Sequence, residues 1–274
     1  DAVSNPAHGY NAYVYPQLNA WLAAGYAVVR SDYEGLGTPG PHPYLIGASE
    51  GRGVVDIVSA ARKLDKSVGR NWVAAGHSQG GHAALFAAAL GPKWAPSLKL
   101  KGVDAFAPAS HIKEEVAAAA GLTAPGGGLS GIGSLLVAGA IAVNPSIKPA
   151  ELLTPAALAL YPQVATKCLG QLGQSDSWGG LPPAQIVASG YDRAPLYKVL
   201  DASEPSNLKI TVPALVQQGD ADTTVFKSFT DPLVASLNAN GGAVDYKVYP
   251  GVDHGSVVAA GQDDASLWLK NVLG

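Results

Sequence analysis

The sequence lacks methionine altogether and has a single cysteine, Cys168, among its 274 residues. Because even position 1 is not methionine, we expect the chain to start after a removed segment, such as a signal peptide or a propeptide. Two interpretations of Cys168 stay open. It is either a buried free thiol, or one half of a disulfide whose partner lies in a lost N-terminal segment.

Charged residues are also scarce. They make up 14% of the chain, the formal net charge is −3, and no basic cluster appears, which argues against nucleic acid as a partner. The longest apolar run, residues 129–143, is shorter than the ~20 residues that a membrane span needs. A hydrophobic fraction of 47% is enough for a full core. Low charge with abundant Ala, Gly and Ser is typical of secreted proteins, so we expect an extracellular location.

Motifs for metals and nucleotide cofactors are missing as well. The sequence has no C-x-x-C and no H-E-x-x-H, and His77 and His82 are spaced wrongly for one helical face. No G-x-G-x-x-G follows a predicted strand. We therefore expect neither a metal site nor a cofactor.

Strand-like and helix-like segments alternate along much of the chain. Strands are predicted at 26–30, 71–75, 101–107, 213–218 and 244–249, and helices at 49–64, 81–90, 226–237 and 263–272. The opening segment also predicts an apolar helix that stops at Gly25. This alternation predicts an α/β fold, a mainly parallel sheet with helices on both faces. The core would comprise residues 1–110 and 207–274. Residues 111–206 show helices punctuated by Gly and Pro, which predicts an inserted helical cap or lid.

The most informative motif is Gly-His-Ser-Gln-Gly at residues 76–80. Strand, G-x-S-x-G, helix is the context of a nucleophile elbow, in which a serine on a tight turn projects above the sheet. Small residues on both sides are expected, because a Cβ there would collide with the neighbouring strand and helix. Ser78 is then the candidate nucleophile, and the backbone N–H of Gln79 is a candidate oxyanion donor. The side chain of His77, inside the elbow, is expected to point away from Ser78 toward the sheet.

A serine nucleophile needs a base and an acid that orients the base. In this fold they follow in the order Ser, Asp or Glu, His. Two acids, Asp220 and Asp222, follow the predicted strand 213–218; we favour Asp222, whereas either could be a turn residue. His254 follows the last predicted strand and is the only histidine after His111.

Three segments together resemble the secretory lipase family: Ser31–Gly37, Ala48–Asp56 and Gly76–Gly81. The likeness extends over most of residues 20–110 and again over 213–256. It implies an α/β-hydrolase with a helical cap that cleaves ester bonds of acyl lipids and simpler esters. It also implies a triad of Ser78, Asp222 and His254, and an oxyanion hole formed by Gln79 and Asp32, with mainly backbone donation from Asp32.

The resemblance carries further expectations about the start of the chain and the loop around Asp32. Family members have a strand and a longer section upstream, so the N-terminal strands are expected to be missing here. A cysteine in that section would pair with Cys168. Glu34 and Glu50 would hold the loop, or form salt bridges to arginines (Arg30 or Arg52).

The sequence therefore predicts a serine carboxylic-ester hydrolase acting through an acyl-enzyme. Alternatives are an acyltransferase or amidase with the same triad, or a non-catalytic relative that binds an apolar ligand. Expected partners are a lipid or small ester substrate, a transient lipid interface, and the missing N-terminal segment.

Overall fold

The computed structural model describes residues 12–274. The chain divides into two compact units. One unit takes in the chain up to Tyr33 together with Gly47–His111 and Glu204–Gly274, and the other consists of Glu34–Ile46 and Ile112–Ser203. Residues 34–46, which the sequence pattern assigns to the core, thus cluster with the helical segment.

The regular elements of the described residues are as follows. The strands are β1 (Asn71–His77), β2 (Lys99–Phe106), β3 (Pro213–Gly219) and β4 (Ala243–Tyr249). The α-helices are α1 (Tyr15–Ala23), α2 (Gly47–Leu64), α3 (Gln79–Trp94), α4 (Ile112–Ala119), α5 (Gly128–Val143), α6 (Pro149–Leu152), α7 (Pro155–Leu160), α8 (Leu169–Leu172), α9 (Ala194–Ala202), α10 (Lys227–Ala239), α11 (Val257–Ala260) and α12 (Gln262–Leu273). Short 3-10 helices lie at Ala12–Val14, Tyr161–Ala165, Trp178–Gly180, Pro183–Gln185 and Pro205–Asn207.

The first unit is built on a parallel sheet. Among the described residues it has four strands in the order β1-β2-β3-β4, each hydrogen-bonded in parallel to its neighbour. The inner strands β2 and β3 are buried along most of their length, as expected for strands covered on both faces. Because all four strands are parallel, their carboxyl ends lie at the same edge of the sheet. The loops that follow β1, β3 and β4 therefore meet at that edge.

Most sequence-based element predictions for this unit are confirmed, with boundaries shifted by a few residues. The strand predicted at residues 26–30 is wrong, because no residue from 26 to 33 is in a strand. Val29 is 39% exposed, so the segment is not buried. In the described part of the chain β1 pairs only with β2, which leaves this segment without the neighbouring strand that its apolar pattern presupposed. The helix predicted before Gly25 ends as expected, but residues 1–11 lie outside the described range.

Helices α2 and α3 pack closely because glycines of α2 face Phe86 of α3. A Cβ added at Gly47 would lie 2.3 Å from the Phe86 ring, and one added at Gly51 would lie 2.9 Å from Phe86. Leu85 and Val55 are fully buried in the apolar cluster beside them. This close approach fixes α2 against the helix that starts directly after Ser78.

A polar network crosses the buried part of the sheet. Gln217 Nε2 donates to Asp104 Oδ1 at 2.8 Å, and the Tyr249 hydroxyl lies 2.6 Å from Gln217 Oε1. The same hydroxyl lies 2.8 Å from Asp264 Oδ2. Asp104 is only 1% exposed, and its burial raises the pKa of its carboxyl to about 7, although the bond from Gln217 opposes the rise.

The second unit is helical apart from one isolated bridge between Leu153 and Val187. Its longest helix, α5, carries buried serines whose hydroxyls donate to backbone carbonyls: Ser130 to Leu181 and Ser134 to Gly131. None of the described helices combines the length and apolar character needed to cross a membrane.

Cys168 lies at the start of α8 in the helical unit and is exposed. The interpretation of Cys168 as a buried thiol is therefore wrong. Its predicted disulfide to an upstream cysteine stays a prediction.

Candidate active site

Ser78 occupies the turn between β1 and α3 with φ 58° and ψ −116°. Non-glycine residues rarely adopt a positive φ, and such strain is concentrated at functional sites. A Cβ added at Gly76 would lie 2.1 Å from the Gly80 carbonyl oxygen, so glycine is required there. A Cβ at Gly80 itself would meet nothing nearer than the Tyr33 hydroxyl at 4.0 Å. The predicted need for a small residue therefore holds at Gly76 but not at Gly80.

The backbone of Ser78 is tied to the end of β2. Its N–H donates to the Phe106 carbonyl at 2.8 Å. Its own carbonyl accepts from the His82 N–H at 3.0 Å and from the Ala109 N–H at 3.3 Å. These bonds hold a conformation that an isolated chain would not adopt.

Asp222 and His254 lie in the loops after β3 and β4 and are joined by a hydrogen bond. His254 Nδ1 lies 2.7 Å from Asp222 Oδ2. The other carboxylate oxygen, Oδ1, accepts from the N–H groups of Thr224 and Val225, both at 2.8 Å. The Asp222 side chain is 0% exposed, whereas that of His254 is 19% exposed.

Burial alone would raise the pKa of Asp222. The bond and charge of His254, with the two backbone donors, outweigh that effect and lower the pKa below its ordinary value. Gln218 adds a further donor, since its Nε2 lies 3.2 Å from Asp222 Oδ2. Thr230 in turn donates to Gln218 Oε1 at 2.8 Å. The carboxylate is thus held ionised and in one orientation.

The alternative acid, Asp220, has a different place. It is exposed, and its Oδ1 accepts from the Gly251 N–H at 2.6 Å, which fastens the turn after β4. Asp222 is therefore the acid that the structure brings to His254.

His77 was expected to point away from Ser78 toward the sheet. Instead its ring packs against the ring of His254, with centroids 4.4 Å apart, and its Nδ1 lies 2.7 Å from the Tyr13 hydroxyl. Burial, assisted by the neighbouring His254, lowers the pKa of His77 to about 3. His77 is thus a neutral ring beside His254, and no motif in the sequence predicts that contact.

The two predicted oxyanion residues lie on separate segments of this unit. Gln79 is the first residue of α3, and its side-chain Nε2 donates to Glu50 Oε1 at 2.6 Å. Asp32 has a buried Oδ1 without a hydrogen-bond partner among the described residues. Such unpaired buried oxygens are uncommon in folded proteins.

The two glutamates expected to hold the loop or to pair with arginines belong to different units. Glu50 bonds to Gln79 and also to His82 Nδ1, at 3.0 Å. Arg52, its expected partner, lies 4.6 Å above the ring of Trp94. Glu34 belongs to the helical unit, where its backbone carbonyl oxygen lies 2.8 Å from His42 Nδ1.

The structure brings the base and the acid together but does not link the base to the serine. Within residues 12–274 no hydrogen bond joins the Ser78 hydroxyl to His254. His254 uses Nδ1 for Asp222, so Nε2 is the nitrogen that remains to face a nucleophile. In the same range, no cluster of three or more His, Cys, Asp or Glu side chains is placed to hold a metal ion.

Comparison with known families identifies the family to which the chain belongs. The profile of the secretory lipase family matches residues 13–173. The chain belongs to the secretory lipase family. It is an ester hydrolase of the lipase and esterase class, and the family description indicates secretion. A search of curated proteins finds no match.

Solved structures of hydrolases share the fold of this lipase-family chain. A hydrolase described as putative, from Legionella pneumophila, superposes with a TM-score of 0.78 at 18% identity, covering 92% of this chain and 72% of that one. The rice cell wall degrading esterase LipA from Xanthomonas oryzae gives 0.70 at 18% identity, with 88% and 69% covered. Lipase A from Candida antarctica gives 0.72 at 19% identity, with 87% and 56% covered. Together they establish the α/β-hydrolase fold predicted from the sequence.

Proposed function

We propose that this secretory lipase-family chain hydrolyses carboxylic esters with Ser78 as nucleophile, His254 as general base and Asp222 as the acid that orients His254. The observation that carries the proposal is the 2.7 Å bond between His254 Nδ1 and Asp222. The His254 ring also packs on that of His77, the residue before Ser78, whose φ is 58°. A charged acceptor on Nδ1 fixes the tautomer that exposes Nε2 as a base.

The chemistry follows from that arrangement. Ser78 Oγ attacks the ester carbonyl carbon while His254 Nε2 takes the hydroxyl proton. Collapse of the tetrahedral intermediate breaks the bond to the alcohol, which leaves with the proton from His254. Water then attacks the acyl-serine by the same route, and the carboxylic acid is released with Ser78 restored. Asp222 stays ionised throughout and stabilises the imidazolium.

The oxyanion would be stabilised by backbone donors. The N–H of Gln79 follows the nucleophile directly, and the N–H of Asp32 comes from an earlier loop. A contribution from the Asp32 side chain would require its carboxyl to carry a proton.

Further proposals concern the surroundings of this chemistry. We propose that the helical segment 111–206 acts as a cap, that its apolar part at 126–143 supplies a wall for the acyl chain, and that the protein is extracellular. Transient contact with a lipid surface and association with an N-terminal segment through Cys168 belong to the same proposal.

The test is hydrolysis of p-nitrophenyl esters of increasing chain length by the wild type and by Ser78→Ala. Loss of a triad nucleophile typically lowers kcat on the order of 10⁴-fold or more. Labelling by a fluorophosphonate probe should disappear in the same variant. Turnover that survives in Ser78→Ala would overturn the assignment. Faster acyl transfer to an added alcohol or amine than to water would point to a transferase instead.

A further inference from the structure

A buried polar cluster lies behind the elbow and takes no part in the proton transfers described above. It consists of Glu50 on α2 with Gln79 and His82 on α3. Glu50 is 1% exposed and His82 is 0% exposed. Glu50 Oε1 accepts from Gln79 Nε2 at 2.6 Å, and Glu50 Oε2 lies 3.0 Å from His82 Nδ1. A carboxylate only accepts, so Nδ1 of His82 carries the proton in this contact.

Glu50 reaches the start of α3 because glycines lie near it on α2. Gly47 and Gly51 let α2 approach Phe86 so closely that any Cβ would lie within 3 Å of it. Glu50 is thereby held against the first turn of α3. The amino end of a helix carries partial positive charge, which favours a carboxylate at this position.

Burial makes the hydrogen bonds of Glu50 costly to break. A buried carboxylate is costly unless its oxygens are bonded, and both are bonded here. Hydrogen bonds to an ionised carboxylate, such as the 2.6 Å bond from Gln79, are roughly twice as strong as neutral ones. Gln79 therefore has little freedom to turn its side chain elsewhere, and its backbone directly follows the strained turn at Ser78.

We infer that Glu50 is a positioning residue for ester hydrolysis: through the side chain of Gln79 it holds the backbone N–H that faces the oxyanion. His82 holds the second oxygen of Glu50 and so fixes the direction of the carboxylate. The inference rests on the proposed oxyanion role of Gln79.

A double-mutant cycle tests the contact between Glu50 and Gln79 by removing each partner. We expect Glu50→Ala and Gln79→Ala each to lower kcat about tenfold, because a displaced donor costs less than the 10²–10³-fold of a removed one. KM should stay within about twofold, since the oxyanion forms only in the transition state. The double variant should be no slower than either single variant, because the same contact is removed twice. All rates are divided by the fraction of sites that a fluorophosphonate titrates.

The matched control is Glu50→Gln, whose amide oxygen can still accept from Gln79 and whose N–H₂ can donate to Nδ1 of a neutral His82 that carries its proton on Nε2 instead. We expect its kcat to stay within about threefold of wild type, since the bond to Gln79 is kept. Thermal unfolding of each variant separates lost stability from lost rate. If Glu50→Ala does not fold, Gln79→Ala and Glu50→Gln decide the question.

Three results would overturn the inference: unchanged kcat per titrated site in Gln79→Ala, losses that add in the double variant, or equal losses in Glu50→Gln and Glu50→Ala. Failure of the proposed function has a different signature, since Ser78→Ala would then keep its turnover. An inactive Ser78→Ala with a normal Glu50→Ala removes only the positioning role.

Discussion

Replacing the buried Asp104 by asparagine should remove a pH dependence of stability. The folded protein raises the pKa of Asp104 from 3.8 to about 7, because the carboxyl is buried. The folded state therefore keeps a proton that the unfolded state has lost between these two values. The contribution of Asp104 to the free energy of unfolding is accordingly highest below about pH 4, falls as the pH rises toward about 7, and changes little above it.

The size of the effect follows from the difference between the pKa values of Asp104 in the unfolded and folded states. At about 1.4 kcal/mol per pH unit, the interval from 3.8 to about 7 corresponds to a loss of about 4 kcal/mol for wild type. The amide introduced by Asp104→Asn would keep the bond from Gln217 Nε2 but would place an N–H₂ group where Oδ2 of Asp104 has no partner among the described residues. That unpaired donor costs about 1–3 kcal/mol, so the net gain at neutral pH should be on the order of 1–3 kcal/mol.

The assay is urea unfolding of wild type and Asp104→Asn at intervals between pH 4 and pH 8. The difference in unfolding free energy between the two proteins should rise steadily up to about pH 7. Asp245→Asn is the control, because it removes one carboxylate whose side chain is 53% exposed. Parallel pH curves for wild type and Asp104→Asn would refute the reasoning, since they would mean that Asp104 ionises normally in the folded protein.

Three further predictions concern the elbow and the loops beside it. Gly76→Ala should lower the melting temperature sharply or prevent folding, because its Cβ would lie 2.1 Å from a backbone oxygen, whereas Gly80→Ala, with nothing nearer than 4.0 Å, should gain about 0.5–1 kcal/mol. Asp222→Asn should lower kcat about 10⁴-fold through the wrong histidine tautomer, while Asp220→Asn stays within a few-fold; similar losses in both would contradict the assignment of Asp222. His77→Phe should lose less stability than wild type between pH 7 and pH 4, as measured by urea unfolding at both values. In wild type the pKa of His77 is about 3 in the folded state and 6.5 in the unfolded state, so the native state is destabilised as the pH falls below 6.5.

The sequence predicts the sheet and the residues around it well, because each relevant segment carries a local signal. β3 begins with four apolar residues, Pro213–Val216, and the glycine pattern around Ser78 marks the turn that the structure shows. The segment 26–30 has an equally apolar pattern but no strand beside it in the described part of the chain. Strand formation depends on a neighbour, and a pattern within one segment does not contain that information.

Side-chain partners were harder to predict than segments. Glu50 is expected to hold the loop or to pair with an arginine, yet its bonds described above go to α3, across the close approach that Gly47 and Gly51 allow. His77 was expected to face the sheet, yet it contacts His254 from a loop far along the chain. Both pairings arise when helices and loops pack, and they leave no periodic trace in the sequence.

Where no N-terminal segment is bonded to it, the exposed Cys168 is a labelling site that needs no engineering. It is the only thiol in the chain and lies in the helical unit, so a maleimide fluorophore or a nitroxide would attach at one known position. The label is far along the chain from Ser78, Asp222 and His254. Its emission or spectral width could then be followed while an ester or a lipid vesicle is added.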